Sequence, residues 1–354
     1  AMGPLGMGMA FWFGSESNYY GHNAILRMAP FMEHCHLPKV RGLGPLNGEI
    51  LSHDFVEAAF LRRAGYEVWL LPVNEGSYEE MPPDLPRYLK RDRRWCNGNL
   101  QHLAILVKPG LHMVSRLHML IGVATYVTAP LWLFLIGAAC WALFMAPGVV
   151  APGPADPDVP TLVDRLAALT PQLWMLALIA LLLLAPRLLG VAAILARAET
   201  RRRYGGVAKL LLGIGAEIGF TALLAPILMV SRTAAIGGIL AGWSSAWEPQ
   251  NRVGGGLSWS HGLRCQALAL MLGIGLTTFV FSIEPAALIW FSPVLFGLVL
   301  AVPIAVVSAR EDIGLATVRW GLFQLPEEQQ PTDVTALEAA QTNRADRPAA
   351  SIAA

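Results

Sequence analysis

One segment of the sequence, Ser52-His53-Asp54, carries residue types suited to acid–base chemistry. A carboxylate within hydrogen-bond reach of a hydroxyl group can take its proton and make the oxygen a nucleophile. The apolar pattern that follows predicts a helix from Asp54 to Arg63, which ends at Gly65. An aspartate at the start of a helix is commonly an N-cap. The pattern alone therefore leaves capping and catalysis both open for Asp54.

A second segment has the letters RDRRW and begins at Arg91. Arg91 and Arg94 lie three residues apart and so share one face of a helix, with Trp95 beside them. Arginine binds phosphate oxygens through two parallel hydrogen bonds, and a tryptophan face suits the C–H surface of a sugar ring. Together with a carboxylate, this set suits transfer from a nucleotide sugar. An arginine-rich helix beside a membrane can equally bind anionic lipid or follow the positive-inside rule.

The elements that must position these residues belong to a membrane protein. Of 354 residues, 55% are hydrophobic and only 14% are charged, well below the roughly 25% charge of soluble domains. Residues 1–115 have mixed polarity and form a predicted head, whereas 116–310 contain apolar runs that can cross about 30 Å of hydrocarbon. Residues 311–354 are predicted to form a disordered cytoplasmic tail. The net charge of +1 does not favour a nucleic-acid partner.

The membrane spans are predicted at 118–145, 172–196, 211–230, 266–283 and 286–308, with a weaker one at 234–247. Basic residues precede the first span and recur at 197–209, so the head is expected to be cytoplasmic. If 234–247 crosses the membrane, the protein has six spans and a cytoplasmic tail. If 234–247 lies flat at the membrane interface, the protein has five spans and the tail is outside. Arg310 and Arg319 favour six.

In the head, the segment YEVWLLP that follows Gly65 predicts a buried strand, and a strand after a capped helix is an α/β pattern. Pro82 and Pro83 predict a turn before the helix that carries RDRRW. The predicted fold is an α-helical membrane bundle of about six spans with a partial cytoplasmic α/β head.

Two further groups of polar residues were considered as sites. His34 and His36 flank Cys35, but without a second ligand pair a surface turn is favoured over a metal site, and the spacing of the four cysteines predicts neither zinc nor a disulfide framework. Arg187 and Glu217 lie at similar depths in successive spans, where charge is costly. They are expected to face the protein interior rather than lipid, either paired or lining a polar path for the glucan, the alternative being that Arg187 reaches the surface and Glu217 is protonated.

Four motifs, GHNAILR, SHDFVEAAFLRRAGYEVWLLP, EEMPPDL and RDRRWCNGN, occur in an order and spacing that resemble the latter half of membrane-integrated, inverting family-2 glycosyltransferases of GT-A-like fold. SHD stands in the place of that family's Thr-Glu-Asp motif, and RDRRW matches its Gln/Arg-x-x-Arg-Trp signature. The SHD form and the segments LLAPRLLG, AEIGFTALLAPILM and GWSSAWEPQ more specifically resemble the branch that makes osmoregulated periplasmic glucans. The resemblance runs from about Asn18 to about Ala309.

The resemblance implies transfer of glucose from UDP-glucose to a growing β-glucan, with a β-1,2 linkage and passage of the chain through the membrane. Asp54 would be the catalytic base. The residues implied to contact donor or acceptor are Arg91, Arg94, Trp95, His53, His22 and Asn23. The arginines would lie near the diphosphate and the tryptophan against the acceptor glucose.

A divalent metal, Mg²⁺ or Mn²⁺, is implied for such an enzyme, with its ligands on aspartates upstream of this chain. The chain is accordingly expected to be the carboxyl portion of the enzyme and inactive alone. Implied partners are the lipid bilayer, an acyl carrier protein and a periplasmic glucan-processing protein. The alternatives left open are a cellulose-, chitin- or hyaluronan-type synthase, a transporter, and a non-catalytic membrane anchor.

Overall fold

The structure is a computed structural model that describes residues 2–21, 23–42, 44–71, 81–146, 162–243 and 255–323. These residues are almost entirely helical. The helices are α1 Met2–Phe13, α2 Met28–His34, α3 Asp54–Arg63, α4 Leu85–Leu106, α5 Met113–Met145, α6 Leu162–Ala196, α7 Ala198–Arg203, α8 Val207–Leu240, α9 Trp259–Ile283, α10 Leu288–Val299, α11 Ala301–Ser308 and α12 Glu311–Arg319.

Helix α3 has the bounds that its sequence predicts, Asp54–Arg63. It ends where Gly65 takes a φ of 88°, a left-handed conformation that glycine adopts without steric cost. Its buried side chains include Val56 and Phe60, which pack in one cluster with Ile105 of α4 and Met119 of α5. The core of the head is therefore shared with the helices that lead into the membrane.

The predicted strand after Gly65 is not formed in the described residues. Val68 makes a single parallel bridge to Glu16, and Val40 makes one antiparallel bridge to Gly48; residues 72–80 lie outside the described part. A strand needs a neighbour along its whole length to satisfy its backbone groups. Within the described residues Val68 finds such a neighbour only at 15–17, so an α/β head is not confirmed.

Helix α4 follows the turn at Pro82 and Pro83, as predicted, and carries RDRRW. Asp84 caps it, since its Oδ1 accepts a hydrogen bond from the backbone N–H of Arg87 at 2.8 Å. Proline in the first turn is compatible with helix initiation because its missing N–H would have had no partner there. The 22-residue helix is long enough to contact the head on one face and the membrane helices on another.

Four helices are long and apolar enough to span a membrane, namely Met113–Met145, Leu173–Ala196, Val207–Leu240 and Trp259–Ile283. Pro285–Val299 and Ala301–Ser308 form a pair bent by 50° that counts as a fifth if it is one span. These five correspond to the five stronger predicted spans. The structure thus has the helices of a membrane protein.

The count of six spans is not confirmed. Residues 234–240 of the weak segment continue α8, and 244–247 lie outside the described residues. Helix α8 continues past Val230 because the polar side chains there have hydrogen-bond partners. Thr233 donates to the carbonyl oxygen of Met229 at 2.8 Å, and Arg232 binds Asp92. The region 311–354, predicted to be disordered throughout, begins with the helix α12, whose acidic first turn and basic last turn suit the helix dipole.

Close approach between the membrane helices depends on glycine. A Cβ at Gly297 of α10 would lie 2.5 Å from the carbonyl oxygen of Leu223 in α8, and a Cβ at Gly273 of α9 would lie 2.7 Å from the Cβ of Leu298. Small residues at such positions allow van der Waals contact between backbones in a membrane. Helices α8, α9 and α10 therefore pack as one unit.

Candidate active site

Asp54 is the first residue of α3, and its carboxylate is held from outside the helix. Its Oδ2 accepts a hydrogen bond from the backbone N–H of Gly21 at 2.9 Å, and its Oδ1 lies 3.1 Å from Nδ1 of His53. The side chain remains 23% exposed. The carboxylate is thus bound to the NYYGHN segment rather than used as a helix cap, and a hydroxyl group can reach it.

Gly21 is fitted closely against this carboxylate. A Cβ at this position would lie 2.9 Å from Oδ1 of Asp54, so a side chain there would require the carboxylate to shift. Of the neighbouring predicted site residues, Asn23 is exposed in the same turn, where its N–H donates to the carbonyl of Tyr20 at 2.9 Å. His22 lies outside the described residues.

His53 contacts two carboxylates. Its Nδ1 lies 3.1 Å from Oε1 of the buried Glu57, one turn further along α3, as well as near Asp54. The hydroxyl of Tyr19 donates to the other oxygen of Glu57. Hydrogen bonding to Glu57 raises the pKa of His53 against the effect of burial. Burial raises the pKa of Glu57, but the hydrogen bonds from His53 and Tyr19 outweigh it, so the pKa of Glu57 is lowered.

His53, Asp54 and Glu57 form the one group of possible metal ligands in the described part of the chain. Their candidate ligand atoms lie within 4.8 Å of one another. The group does not fit Mg²⁺ or Mn²⁺. Hard cations prefer oxygen ligands, whereas here the imidazole Nδ1 is shared by both carboxylates and Glu57 is also bonded to Tyr19. Hydrogen bonds therefore satisfy this cluster without a metal ion.

One face of α4 fixes the segment that leads to Asp54. Gln101 accepts a hydrogen bond from the N–H of Leu51 at 2.9 Å and donates to the carbonyl oxygen of Glu49 at 2.9 Å. His102 Nε2 lies 2.9 Å from the carbonyl oxygen of Ser52. A Cβ at Gly98 would lie 2.5 Å from the backbone nitrogen of Ser52. The backbone before SHD is thus in direct contact with α4.

The RDRRW motif continues this face of α4. Arg91, Arg94, Gly98 and His102 follow one another at intervals of three or four residues, and such residues lie one above another on a helix. Arg94 precedes Gly98 by one turn, which is about 6 Å along the axis. The contact between Gly98 and Ser52 therefore joins the SHD segment to α4 about one helical turn beyond Arg94.

The two arginines differ in environment. Arg91 is buried, with its guanidinium carbon 4.5 Å from the centroid of the Trp95 ring and its Nη2 3.4 Å from the sulfur of Met81. Arg94 is partly exposed, and burial followed by the charge of Arg91 lowers its pKa. Arg94 is thus the more accessible candidate for an anionic ligand.

Trp95 has a packing role in this structure. One side of its ring faces Arg91, and the ring also packs against a cluster that contains Cys96, Leu100 and Ile239. The contact with Arg91 is a cation–π interaction, which is stronger where the groups are desolvated. Its predicted contact with an acceptor sugar stays a prediction.

Sequence reasoning missed the residues on the opposite face of α4. Asp92, whose side chain is only 4% exposed, binds Arg232 of α8 through two hydrogen bonds, of 2.8 Å to Nε and 3.1 Å to Nη2. Tyr126 of α5 donates to the same carboxylate at 3.3 Å, and its ring centroid lies 5.0 Å from the guanidinium carbon of Arg232. The signal available was Arg232 itself, a charge at the end of an apolar run.

An open cavity of about 360 Å³ lies beside this ion pair, between α5 and α8. Its lining combines an indole ring and two hydroxyl groups with Arg232 and apolar side chains: Thr125, Thr128, Ala129, Trp132, Ala225, Leu228, Met229 and Arg232. Aromatic faces and hydroxyl groups are suited to contact with sugars.

The predicted intramembrane pair is formed. Arg187 Nη2 of α6 lies 3.1 Å from Oε1 of Glu217 in α8. The side chains are only partly covered, at 33% and 48% exposure. The two side chains thus lie within ion-pair distance, whereas their facing the protein interior and a role in a path for the glucan stay predictions.

The buried pair should show strong energetic coupling. Asp92→Asn and Arg232→Met should each destabilise the protein by about 3–5 kcal/mol, because each leaves a buried charge without its partner. The double variant should cost clearly less than the sum. Unfolding in mixed detergent micelles measures these values. Asp312→Asn, at an exposed pair with Arg310, should leave unfolding unchanged, and additive costs for Asp92 and Arg232 would contradict the assignment.

The family model described as glycosyl transferase family group 2 matches residues 7–190, more than half of the chain. Relatives named glucans biosynthesis glucosyltransferase H are similar to nearly all of it. The protein from Xylella fastidiosa is 39% identical over 98% of this chain and 54% of its own length. Those from Bradyrhizobium diazoefficiens and Rhodopseudomonas palustris are 40% and 41% identical over 94% of this chain and 44% and 46% of their own lengths.

The chain spans about half the length of the curated relatives it matches. No solved structure matches it significantly. The family model covers the head, RDRRW and the first membrane helices, and the relatives extend the similarity through the remaining helices. On this evidence the chain belongs to glycosyl transferase family group 2.

Proposed function

We propose that this protein transfers glucose from UDP-glucose to a growing β-glucan, with a β-1,2 linkage, in the synthesis of osmoregulated periplasmic glucans. The family membership and the names of the relatives support glucosyl transfer in glucan synthesis. One structural observation carries the proposal. The accessible carboxylate of Asp54 stands on a segment that is packed against α4 at Gly98, one helical turn from Arg94.

Asp54 acts in this proposal as the general base. It takes the proton of the acceptor hydroxyl while that oxygen attacks the anomeric carbon of glucose and the bond from that carbon to the diphosphate oxygen breaks on the opposite face. A single displacement of this kind inverts the configuration at the anomeric carbon. The hydrogen bond from Gly21 holds the carboxylate in one orientation, and a base must be so placed to reach the hydroxyl.

Arg94 and Arg91 stabilise the leaving UDP. The diphosphate gains negative charge as the glycosidic bond breaks, and guanidinium groups fixed in a partly buried site stabilise that charge more strongly than they would in water. Arg94 is accessible to the donor, whereas Arg91 is buried against Trp95. We therefore assign the direct contact to Arg94, and a supporting charge to Arg91.

Family-2 glycosyltransferases commonly use a divalent metal, which supplies positive charge at the donor diphosphate. Since the cluster of His53, Asp54 and Glu57 does not fit such an ion, we expect its ligands among other residues. The product chain would cross the bacterial inner membrane from a cytoplasmic head. The cavity lined by Thr125, Thr128 and Trp132 offers sugar-compatible groups directly beside α4, where that passage would begin.

Asp54→Asn should abolish turnover while UDP still binds. Loss of a general base typically lowers the rate by about 10²–10⁴-fold, whereas an amide can keep the hydrogen bond from Gly21. The assay is transfer of labelled glucose in membranes that contain the natural full-length protein carrying this sequence, with UDP affinity measured separately. Asp312→Asn, in the exposed α12, is the control and should retain activity. Near-normal turnover in Asp54→Asn would refute the proposed function.

Arg94→Lys should raise the KM for UDP-glucose by about tenfold, because an ammonium group cannot form the paired hydrogen bonds of a guanidinium with phosphate. Arg87→Lys is a matched control on the same helix, since Arg87 pairs with Asp84 at the amino end of α4. Its KM should not change. Equal donor KM in Arg94→Lys and the parent would favour a lipid-facing role for RDRRW.

A further inference from the structure

We infer that His53 is a positioning residue, which holds and orients the carboxylate of Asp54 by sharing its Nδ1 hydrogen between Asp54 and Glu57. The inference rests on the proposed function, in which Asp54 is the base. It changes the expectation drawn from sequence, which assigned His53 to substrate contact. The defining juxtaposition is a single imidazole nitrogen 3.1 Å from Oδ1 of Asp54 and 3.1 Å from Oε1 of Glu57.

The position of the hydrogen follows from the neighbours of Nδ1. Both neighbouring atoms are carboxylate oxygens, which only accept hydrogen bonds when ionised, so Nδ1 must carry a hydrogen. Two carboxylates one turn apart on α3 would otherwise repel each other. The imidazole between them removes that repulsion.

Glu57 anchors the arrangement. Its side chain is only 8% exposed, and its second oxygen accepts the hydrogen bond from Tyr19, on a segment packed against α3. Fixed in this way, Glu57 holds the half-exposed His53 in one rotamer. His53 in turn reaches Asp54, so the most buried of the three side chains anchors the base through the imidazole.

Asp54 is thereby held by two donors from different parts of the chain. The N–H of Gly21 binds Oδ2 and His53 binds Oδ1, and two such bonds fix the rotation of the carboxylate plane. Each carboxylate oxygen has more than one acceptor site. The exposed side of the group therefore remains free to accept a proton from a hydroxyl group.

The other titratable groups around this carboxylate do not supply a positive charge. Tyr19 is bonded to Glu57, and the Sγ of Cys35 lies 3.6 Å from the carbonyl oxygen of Glu57. Burial lowers the pKa of His102, which faces the site from α4 and stays neutral there. Among the described residues that surround Asp54, His53 is thus the group whose charge can act on it.

The pKa shifts of His53 and Glu57 indicate the pH range in which both side chains are charged. Because the pKa of His53 is raised and that of Glu57 is lowered, both are charged between the lowered pKa of Glu57 and the raised pKa of His53. An opposite charge within about 4–6 Å favours the ionised form of a carboxyl group. Loss of the imidazolium should therefore remove a favourable charge beside the Asp54 carboxylate and lower the rate of glucosyl transfer.

The test is the pH dependence of kcat/KM for UDP-glucose in the natural full-length protein, comparing the parent with His53→Gln. Glutamine keeps a hydrogen-bond donor but carries no charge. The parent profile should fall as pH rises through the raised pKa of His53, whereas His53→Gln should lack that alkaline limb, with UDP affinity unchanged. His34→Gln is the matched control, because His34 is a partly buried histidine of the same head that packs against Tyr66 instead. Its profile should match the parent.

Chemical rescue gives a second measurement. The side chain of His53 is 48% exposed, so imidazole added to His53→Ala should enter the vacated space and restore part of the lost kcat. An alkaline limb that persists in His53→Gln, or a loss of UDP affinity, would overturn the positioning role. Neither result would touch the proposed function, which fails only if Asp54→Asn keeps its turnover.

Discussion

The contact between Gly98 of α4 and the backbone of Ser52 is the constraint on which the site depends. A Cβ at residue 98 would lie 2.5 Å from the Ser52 nitrogen, so only a residue without a side chain lets the segment and the helix approach this far. Gln101 and His102 then satisfy the polar groups of that segment. The start of α3, and with it Asp54, is placed relative to the arginines by backbone packing rather than by flexible side chains.

The opposite face of the same helix ties the site to the membrane bundle. The carboxylate of Asp92 accepts two hydrogen bonds from Arg232 of α8 and one from Tyr126 of α5. Burial of an ion pair is costly unless its geometry is good and its remaining polar atoms are bonded, and this pair meets both conditions. A movement of α8 relative to α5 would therefore be transmitted to the helix that carries Arg91 and Arg94.

Local features of the sequence predicted the parts of the fold that depend on local rules. Helix α3 was bounded correctly because its apolar spacing and Gly65 act within a few residues, and the main apolar runs correspond to helices because their length suffices. The strand predicted after Gly65 is not formed in the described residues, because a strand requires a partner that its own sequence does not reveal. The proximity of Arg187 and Glu217 could be predicted because the two residues lie at similar depths in successive membrane spans.

Only part of the candidate site could be predicted from the sequence. Resemblance of SHD and RDRRW to family motifs identified Asp54 and Arg94, but the partners that hold them are distant in sequence. Asp92 and Arg232 are separated by 140 residues, and no spacing rule relates them. The positioning role proposed for His53 rests on the distances from one ring nitrogen to Glu57 and Asp54, which only the folded geometry supplies.

The most direct test is an experimental structure of the natural full-length protein with UDP and a short β-glucan bound. The account predicts that the terminal glucose hydroxyl lies within hydrogen-bond distance of the Asp54 carboxylate, with the diphosphate at Arg94 and with Gly98 still packed on Ser52. A diphosphate bound away from α4, or a glucan end out of reach of Asp54, would contradict it.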